Sequence, residues 1–237
     1  VVKAVERAGI DVRGVHAASL AAAESVLSRE EKERGVVLVD IGDTLTGIAV
    51  FKEGAARSLR VLSFGGRNLA EIIANYCHVT MDVAEGIVRD SLEFDATLPV
   101  SDELMIRAEG MFRPLPKKEL ADVVVTEIDK FAVLARDAVV ESASACPGMS
   151  VVATGGLSLV EGLLEKLEGD LALSVRLGAP RGMAHIPVSV SVACAAAAGM
   201  LFETLPSGDG QPLLLQESRN KVARLVESLR HLYQDYF

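Results

Sequence analysis

The sequence predicts an α/β fold, a mixed sheet with flanking helices, on three observations. Val36 to Asp40, Thr46 to Lys52 and Arg57 to Ser63 are β-branched segments separated by Gly-Asp and Glu53-Gly54 turns. Residues from about Lys117 to Ser144 repeat apolar side chains at the helical period. Strand, turn and helix then return from Ser150 onward. The 237 residues are 50% hydrophobic but only 4% aromatic, so the interior must be built from Val, Leu, Ile and Ala. That length makes one large or two small domains, and the composition excludes disordered and low-complexity classes.

Residues 1 to 34 hold a short amphipathic start, a turn at Gly9-Ile10-Asp11, and a helical run from Ala17 to Leu27 closed by Ser28-Arg29-Glu30-Glu31. The chain opens Val1-Val2-Lys3 inside this pattern and without methionine, so it is read as a fragment. The three segments form an antiparallel meander, and the first strand, apolar throughout, should be central in its sheet. In the third, Ser58 and Arg60 alternate with Leu59 and Val61, as at a sheet edge. Gly65-Gly66 ends the meander. Leu69, Ile72, Ile73 and Tyr76 then share one helix face, and a second helix spans about Met81 to Asp90. Residues 91 to 116, with Pro99, Pro114 and Pro116, read as irregular.

The long helix places Leu120, Val123, Val124, Ile128, Phe131, Leu134 and Val139 on one stripe and stops at Pro147-Gly148. A buried strand follows from Ser150 to Ala153, then a turn at Thr154-Gly155-Gly156 and a helix to about Leu167. A strand near Leu173 to Leu177 and an alanine-rich helix from about Ser189 to Glu203 complete the body. Residues 204 to 216 are a linker by composition, and an amphipathic helix occupies 217 to 237.

Charge and rare residues narrow the function. With 24 basic and 33 acidic side chains, the net charge of −9 repels polyanions and argues against non-specific nucleic-acid binding. Cys77, Cys146 and Cys194 lie apart without CxxC spacing and read as buried thiols of a reducing cytosol. His16, His78, His185 and His231 form no pair at the spacing that would aim two imidazoles at one metal. The longest apolar stretch, Val188 to Phe202, is too short to span a bilayer, and no secretory leader pattern is found.

Two turns have the chemistry of a site. Asp40-Ile41-Gly42-Asp43-Thr44-Leu45-Thr46-Gly47 joins two strands. Its backbone N–H groups could cradle a phosphate while a carboxylate at the strand end holds the water shell of Mg²⁺. By itself it reads first as an ordinary hairpin turn, since Gly-Asp is common turn chemistry. Ala153-Thr154-Gly155-Gly156-Leu157-Ser158 runs from strand to helix, where glycines admit a flat or charged ligand and a helix start favours anions. A plain connection capped by Ser158 is an equal reading.

Ala8 to Asp11, Ser19-Leu20-Ala21-Ala22-Ala23-Glu24, Glu31-Lys32-Glu33-Arg34-Gly35, Asp40-Ile41-Gly42 and Phe64-Gly65-Gly66 occur in an order and spacing that is specific. Ala84-Glu85, Thr154-Gly155-Gly156 with Gly162, and Val175-Arg176-Leu177-Gly178 continue the series. Over residues 5 to 203 the chain resembles the second half of the FtsA family of bacterial cell-division proteins, within the actin-like ATPase superfamily. The resemblance implies a ribonuclease-H-like, second actin-like domain over 35–203, with a small inserted subdomain over about 66–116. Residues 1–34 would be the remnant of a preceding domain and a connecting helix.

It also implies an adaptor that tethers the FtsZ ring to the inner face of the cytoplasmic membrane at the division site and supports septum assembly. Its partners would be the FtsZ C-terminal tail, other division proteins and further copies in filaments of a cytoskeletal kind. ATP would be a conformational ligand. Asp40, Gly42, Asp43, Thr44 and Thr46 fall on the family's second phosphate loop, with Asp40 holding Mg through water, and Gly65 and Gly66 join these cofactor contacts. Gly155, Gly156, Leu157 and Ser158 fall on its adenosine motif. Glu85 matches its acidic residue near the nucleoside; Val88 stands where a basic residue is usual, and Arg89, one step on, is an imperfect substitute.

The departures bear on mechanism. The family's loop reads Asp-Ile-Gly-Gly-Gly-Thr-Thr-Asp, and here Asp43, Thr44, Leu45 and Gly47 replace two glycines, a threonine and the final aspartate. At an effective dielectric of about 20, Asp43 and a phosphate charge about 4 Å apart would repel by roughly 4 kcal/mol unless Mg²⁺ intervenes. The adenosine motif's third glycine is Leu157, and the first domain's phosphate loop is not in these residues. Hydrolysis by this chain alone is therefore not expected. The competing readings are the actin-like scaffold of another machine, of the type IV pilus assembly type, and an ATPase or kinase of the superfamily, which would need an intact loop.

The tail separates these readings. Val222, Leu225, Val226, Leu229, Leu232, Tyr233, Tyr236 and Phe237 form one stripe, with a net charge of about +1 on residues 217 to 237. Spacing alone leaves two uses, packing on the body or another subunit, and burial in the headgroup layer of a membrane with a weak electrostatic pull. The family resemblance favours the membrane.

Overall fold

The computed structural model of the chain describes residues 2–12, 14–94, 102–108, 111–143, 149–183 and 185–204. The tail helix and its membrane stripe, the linker beyond Thr204, Pro99, Cys146 and the Pro147-Gly148 stop lie outside them. Three short helices come first, α1 (Val2–Arg7), α2 (Ala18–Val26) and α3 (Arg29–Arg34). A capping box starts α3: the Glu31 N–H donates to Ser28 Oγ at 3.1 Å, and the Ser28 N–H donates to the Glu31 carboxylate at 2.8 Å.

The meander forms as its β-branched composition predicts, with β1 (Val36–Ile41), β2 (Thr46–Lys52) and β3 (Ala55–Leu62) antiparallel. Next come α4 (Gly66–Cys77), α5 (Met81–Asp90), β4 (Glu103–Ala108), β5 (Met111–Pro116), α6 (Lys117–Ala143) and β6 (Ser150–Thr154). A 3-10 turn at Gly156–Leu159 leads to α7 (Leu163–Leu171), β7 (Val175–Leu177), α8 (Val188–Ala193) and α9 (Ala195–Thr204). The main sheet runs β3-β2-β1-β6-β7, with β6 parallel to both β1 and β7. β1 is central and β3 lies at the edge, as expected.

Period-two alternation sends β1 side chains into two cores. Val37, Val39 and Ile41 join Phe64, Leu69, Ile73, Ile128 and Phe131, where the two phenylalanine rings stack with centroids 4.1 Å apart. Val36 and Leu38 face the other way, onto α2 and Ala195 of α9. There α2 and α9 touch backbone to backbone, since a methyl on Gly199 would sit 1.6 Å from the Ala21 carbonyl oxygen. Position 199 therefore admits only glycine, and the small side chains of both alanine-rich runs suit so close a crossing.

Four expectations change. Residues 103–116 are not irregular but pair as the β4–β5 hairpin. Ile106 and Leu115 turn inward onto the core, and Pro114 and Pro116 are tolerated because neither strand of a two-stranded ribbon must donate on its outer edge. Tyr76 leaves the buried face of its helix, 47% exposed, and donates its hydroxyl to Glu119. Leu134, placed on the buried stripe, is 52% exposed because it falls beside the face on which Leu120, Val124, Ile128, Phe131, Ala135 and Ala138 are buried. The single helices expected after Gly156 and around Cys194 are each broken, the first by Gly162 at φ +76° and the second at Cys194.

Candidate functional site

Three chain turns meet at the carboxyl end of β1. The hairpin Gly42–Leu45 is closed by the Gly42 N–H, which donates to the Leu45 carbonyl at 3.1 Å. Phe64-Gly65-Gly66 lies against it. A methyl on Gly65 would fall 2.2 Å from the Asp43 carbonyl oxygen, so this segment can approach only as glycine. The Gly66 N–H donates to the Gly42 carbonyl at 3.1 Å and the Arg67 N–H to the Asp43 carbonyl at 2.8 Å. The Gly65 N–H is taken by Asn68 Oδ1 at 2.9 Å. The leading amides of α4 thus hold the hairpin in place.

The third turn follows β6. Gly155 adopts φ +88°, and a methyl there would lie 2.4 Å from the Ile41 carbonyl oxygen and 2.9 Å from Asp40 Oδ1, which restricts the position to glycine on two counts. Ser158 donates its hydroxyl to the Gly155 carbonyl at 2.7 Å and is buried, so it shapes the turn from within. Leu157 is buried as well, its Cδ1 near Gly66. Gly156 is exposed, with open space where a side chain would be. Thr46 faces inward: fully buried, it donates to the Phe64 carbonyl at 2.9 Å and ties the hairpin to the Gly65 turn.

On the other side of the hairpin a cavity of about 350 Å³ is lined by Ser19, Asp40, Gly42, Thr44, Leu59 and Val61, among others. Ser19 hydrogen-bonds the Asp40 carboxyl and lies so close over Gly47 that a methyl there would overlap its hydroxyl at 1.8 Å. Burial pushes the Asp40 carboxyl above the ordinary aspartate range, and the Ser19 hydrogen bond acts the other way. Burial disfavours the ionised form of this half-buried carboxyl, and a cation beside it would favour that form. Among the described residues no three His, Cys, Asp or Glu side chains converge as a metal cage. That leaves Asp40 as a single carboxylate, the mode in which Mg²⁺ keeps most of its waters.

Asp40, Gly42, Asp43, Thr44, Gly65, Gly66, Gly155 and Gly156 are therefore brought together, while Thr46, Leu157 and Ser158 support them from inside. Glu85 on α5 also reaches the hairpin, through Arg67: its carboxylate is 3.5 Å from that guanidinium, whose Nε is 3.4 Å from Asp43 Oδ2. Arg89 pairs with its neighbour Asp90 at 3.1 Å. The basic group beside Glu85 is Arg67, which sequence reasoning missed. Its signal was a cation in the first turn of a helix, where the macrodipole disfavours one.

A five-stranded mixed sheet with glycine turns converging at the ends of β1 and β6 is the actin-like fold. The solved MreB 5 of Spiroplasma citri bound to AMPPNP superposes with a TM-score of 0.65 at 14% identity, covering 85% of this chain and 62% of that one. The PilM-PilN type IV pilus biogenesis complex gives 0.66 at 16% identity over 86% and 56%. Residues 37–199 match the family of cell division protein FtsA. The FtsA of Pseudomonas aeruginosa is 34% identical over 183 residues, 75% of this chain and 44% of that protein. The chain belongs to the FtsA family, and spans about half the length of the curated relatives it matches.

Proposed function

We propose that this chain is part of a cell-division protein, an actin-like adaptor that tethers the FtsZ ring to the inner face of the membrane, with ATP as a conformational ligand. The observation that carries the reading is the meeting of three glycine turns at the carboxyl end of β1, within a segment that matches the FtsA family. The residues fit a magnesium nucleotide. Gly156 offers exposed backbone with open space beside it, and Asp40 is a half-buried carboxylate whose ionised form burial disfavours and a cation would favour.

Bound there, magnesium would offset phosphate charge. Asp40 would orient its water shell, Ser19 would hold Asp40, and the Asp43–Thr44 tip would approach the phosphates, with Gly155, Gly156 and Glu85 toward the nucleoside. Residues 35–203 would act as the second actin-like domain, the inserted 66–116 subdomain would receive the FtsZ tail, and 217–237 would lie on the membrane beyond the 204–216 linker. Self-association into filaments and contacts with other division proteins belong to the same reading. The altered loop, with Asp43, Thr44, Leu45 and Gly47, does not support hydrolysis by this chain alone.

Fluorescence anisotropy of a labelled FtsZ C-terminal tail peptide, titrated with the chain in moderate salt, tests this reading. Saturable binding is expected. A chain shown folded by circular dichroism that leaves the peptide free would transfer the proposal to the actin-like scaffold of another machine.

A further inference from the structure

We propose that Arg67 selects the ligand of this site: by neutralising Asp43 it makes the hairpin tip acceptable to the phosphates of a metal-bound nucleoside polyphosphate. The inference rests on the nucleotide reading above. Among the described residues, Asp40 and Asp43 at the hairpin and Glu85 beside Arg67 set three carboxylates against the guanidinium of Arg67. Such a set repels a bare polyphosphate and admits one whose charge a divalent cation offsets. Without Arg67 the carboxylate at the tip would face the phosphates directly.

The geometry suits the role. The Arg67 backbone N–H is fixed to the Asp43 carbonyl at 2.8 Å, so its side chain starts beside the tip whatever its rotamer. Its contacts at 3.4 Å to Asp43 and 3.5 Å to Glu85 are loose next to the 2.6 Å Lys166–Asp129 pair elsewhere in the chain. The side chain is half exposed, and two of its five donors are spoken for by these carboxylates. The planar fork can therefore be shared with a phosphate oxygen while Asp43 stays neutralised.

Anisotropy of a ribose-labelled ATP analogue, with and without magnesium, tests the proposal on the wild-type chain, Arg67→Ala, Asp43→Asn and the double variant, each checked for folding by circular dichroism. Arg67→Ala is expected to weaken magnesium-dependent binding at least tenfold. The double variant is expected to return to within about threefold of Asp43→Asn, the non-additivity of an interacting pair. Chelating magnesium should weaken wild-type binding at least tenfold. Full affinity in Arg67→Ala, a double variant as weak as Arg67→Ala, or equal affinity without magnesium each overturns the proposal and leaves the nucleotide reading standing. A folded wild-type chain that binds no analogue overturns both.

Discussion

Asp40 condenses the logic of the site into one side chain. It is the last residue but one of the central strand, half-buried, and burial holds its carboxyl above the ordinary aspartate range despite the Ser19 hydrogen bond. A carboxyl whose folded value is raised is harmless below its unfolded value and costs stability as pH rises through the folded value. Asp40→Asn should therefore melt at a higher temperature than wild type at pH 8, with the gap closing toward pH 4, as scanning calorimetry would read. A gap independent of pH would mean the carboxyl is not strained. The same strain is what a bound cation would relieve. Asp40 was legible in the sequence as the carboxylate at a strand end; that Ser19, 21 residues earlier, would be its partner was not, because only the packing of α2 over Gly47 unites them.

At the scale of elements, α3 shows how a short helix can be set by local chemistry and then used at distance. Ser28 and Glu31 form the capping box, and Glu31 also accepts from Arg176 Nε of β7 at 3.1 Å, which ties the helix to the far sheet edge. Burial pushes the Glu31 carboxyl up, but the Ser28 N–H and Arg176 outweigh it, so its value is lowered overall. A lowered carboxyl stabilises above its unfolded value and loses that contribution as pH falls through the folded value. Glu31→Gln should thus lose stability at pH 7 and match wild type in acid, while Ser28→Ala should cost about 1 kcal/mol at any pH above that window. Denaturant midpoints across pH 3 to 7 would check both, and a Glu31→Gln deficit that persists in acid would assign the effect to packing. Most helices and the meander could be read from period alone. The β4–β5 hairpin could not, since its prolines mimic a loop and only Ile106 and Leu115 packing on the core reveals the ribbon.

The whole molecule is read through its family and the division of labour proposed for its parts. Residues 1–204 form one compact unit. No described helix is long and apolar enough to cross a membrane, so attachment on the proposed reading falls to the tail stripe. Deleting residues 217–237 should abolish co-sedimentation with anionic liposomes while leaving FtsZ-peptide binding and the melting temperature of the body in place. Liposome binding that survives the deletion would remove the tail from the membrane role.

The sequence by itself determined most of the elements and the chemistry of the two glycine turns, because strand and helix periods and turn residues are local properties. Order and spacing of short motifs also carried the family. Tertiary structure alone decided which of the candidate residues stand around the hairpin and which work beneath it. Thr46, Leu157 and Ser158 face inward, and Arg67 joins Asp43 to Glu85 across three segments. Those outcomes depend on how separate turns pack at the end of one sheet, and charge pairs between distant segments leave no period in a sequence.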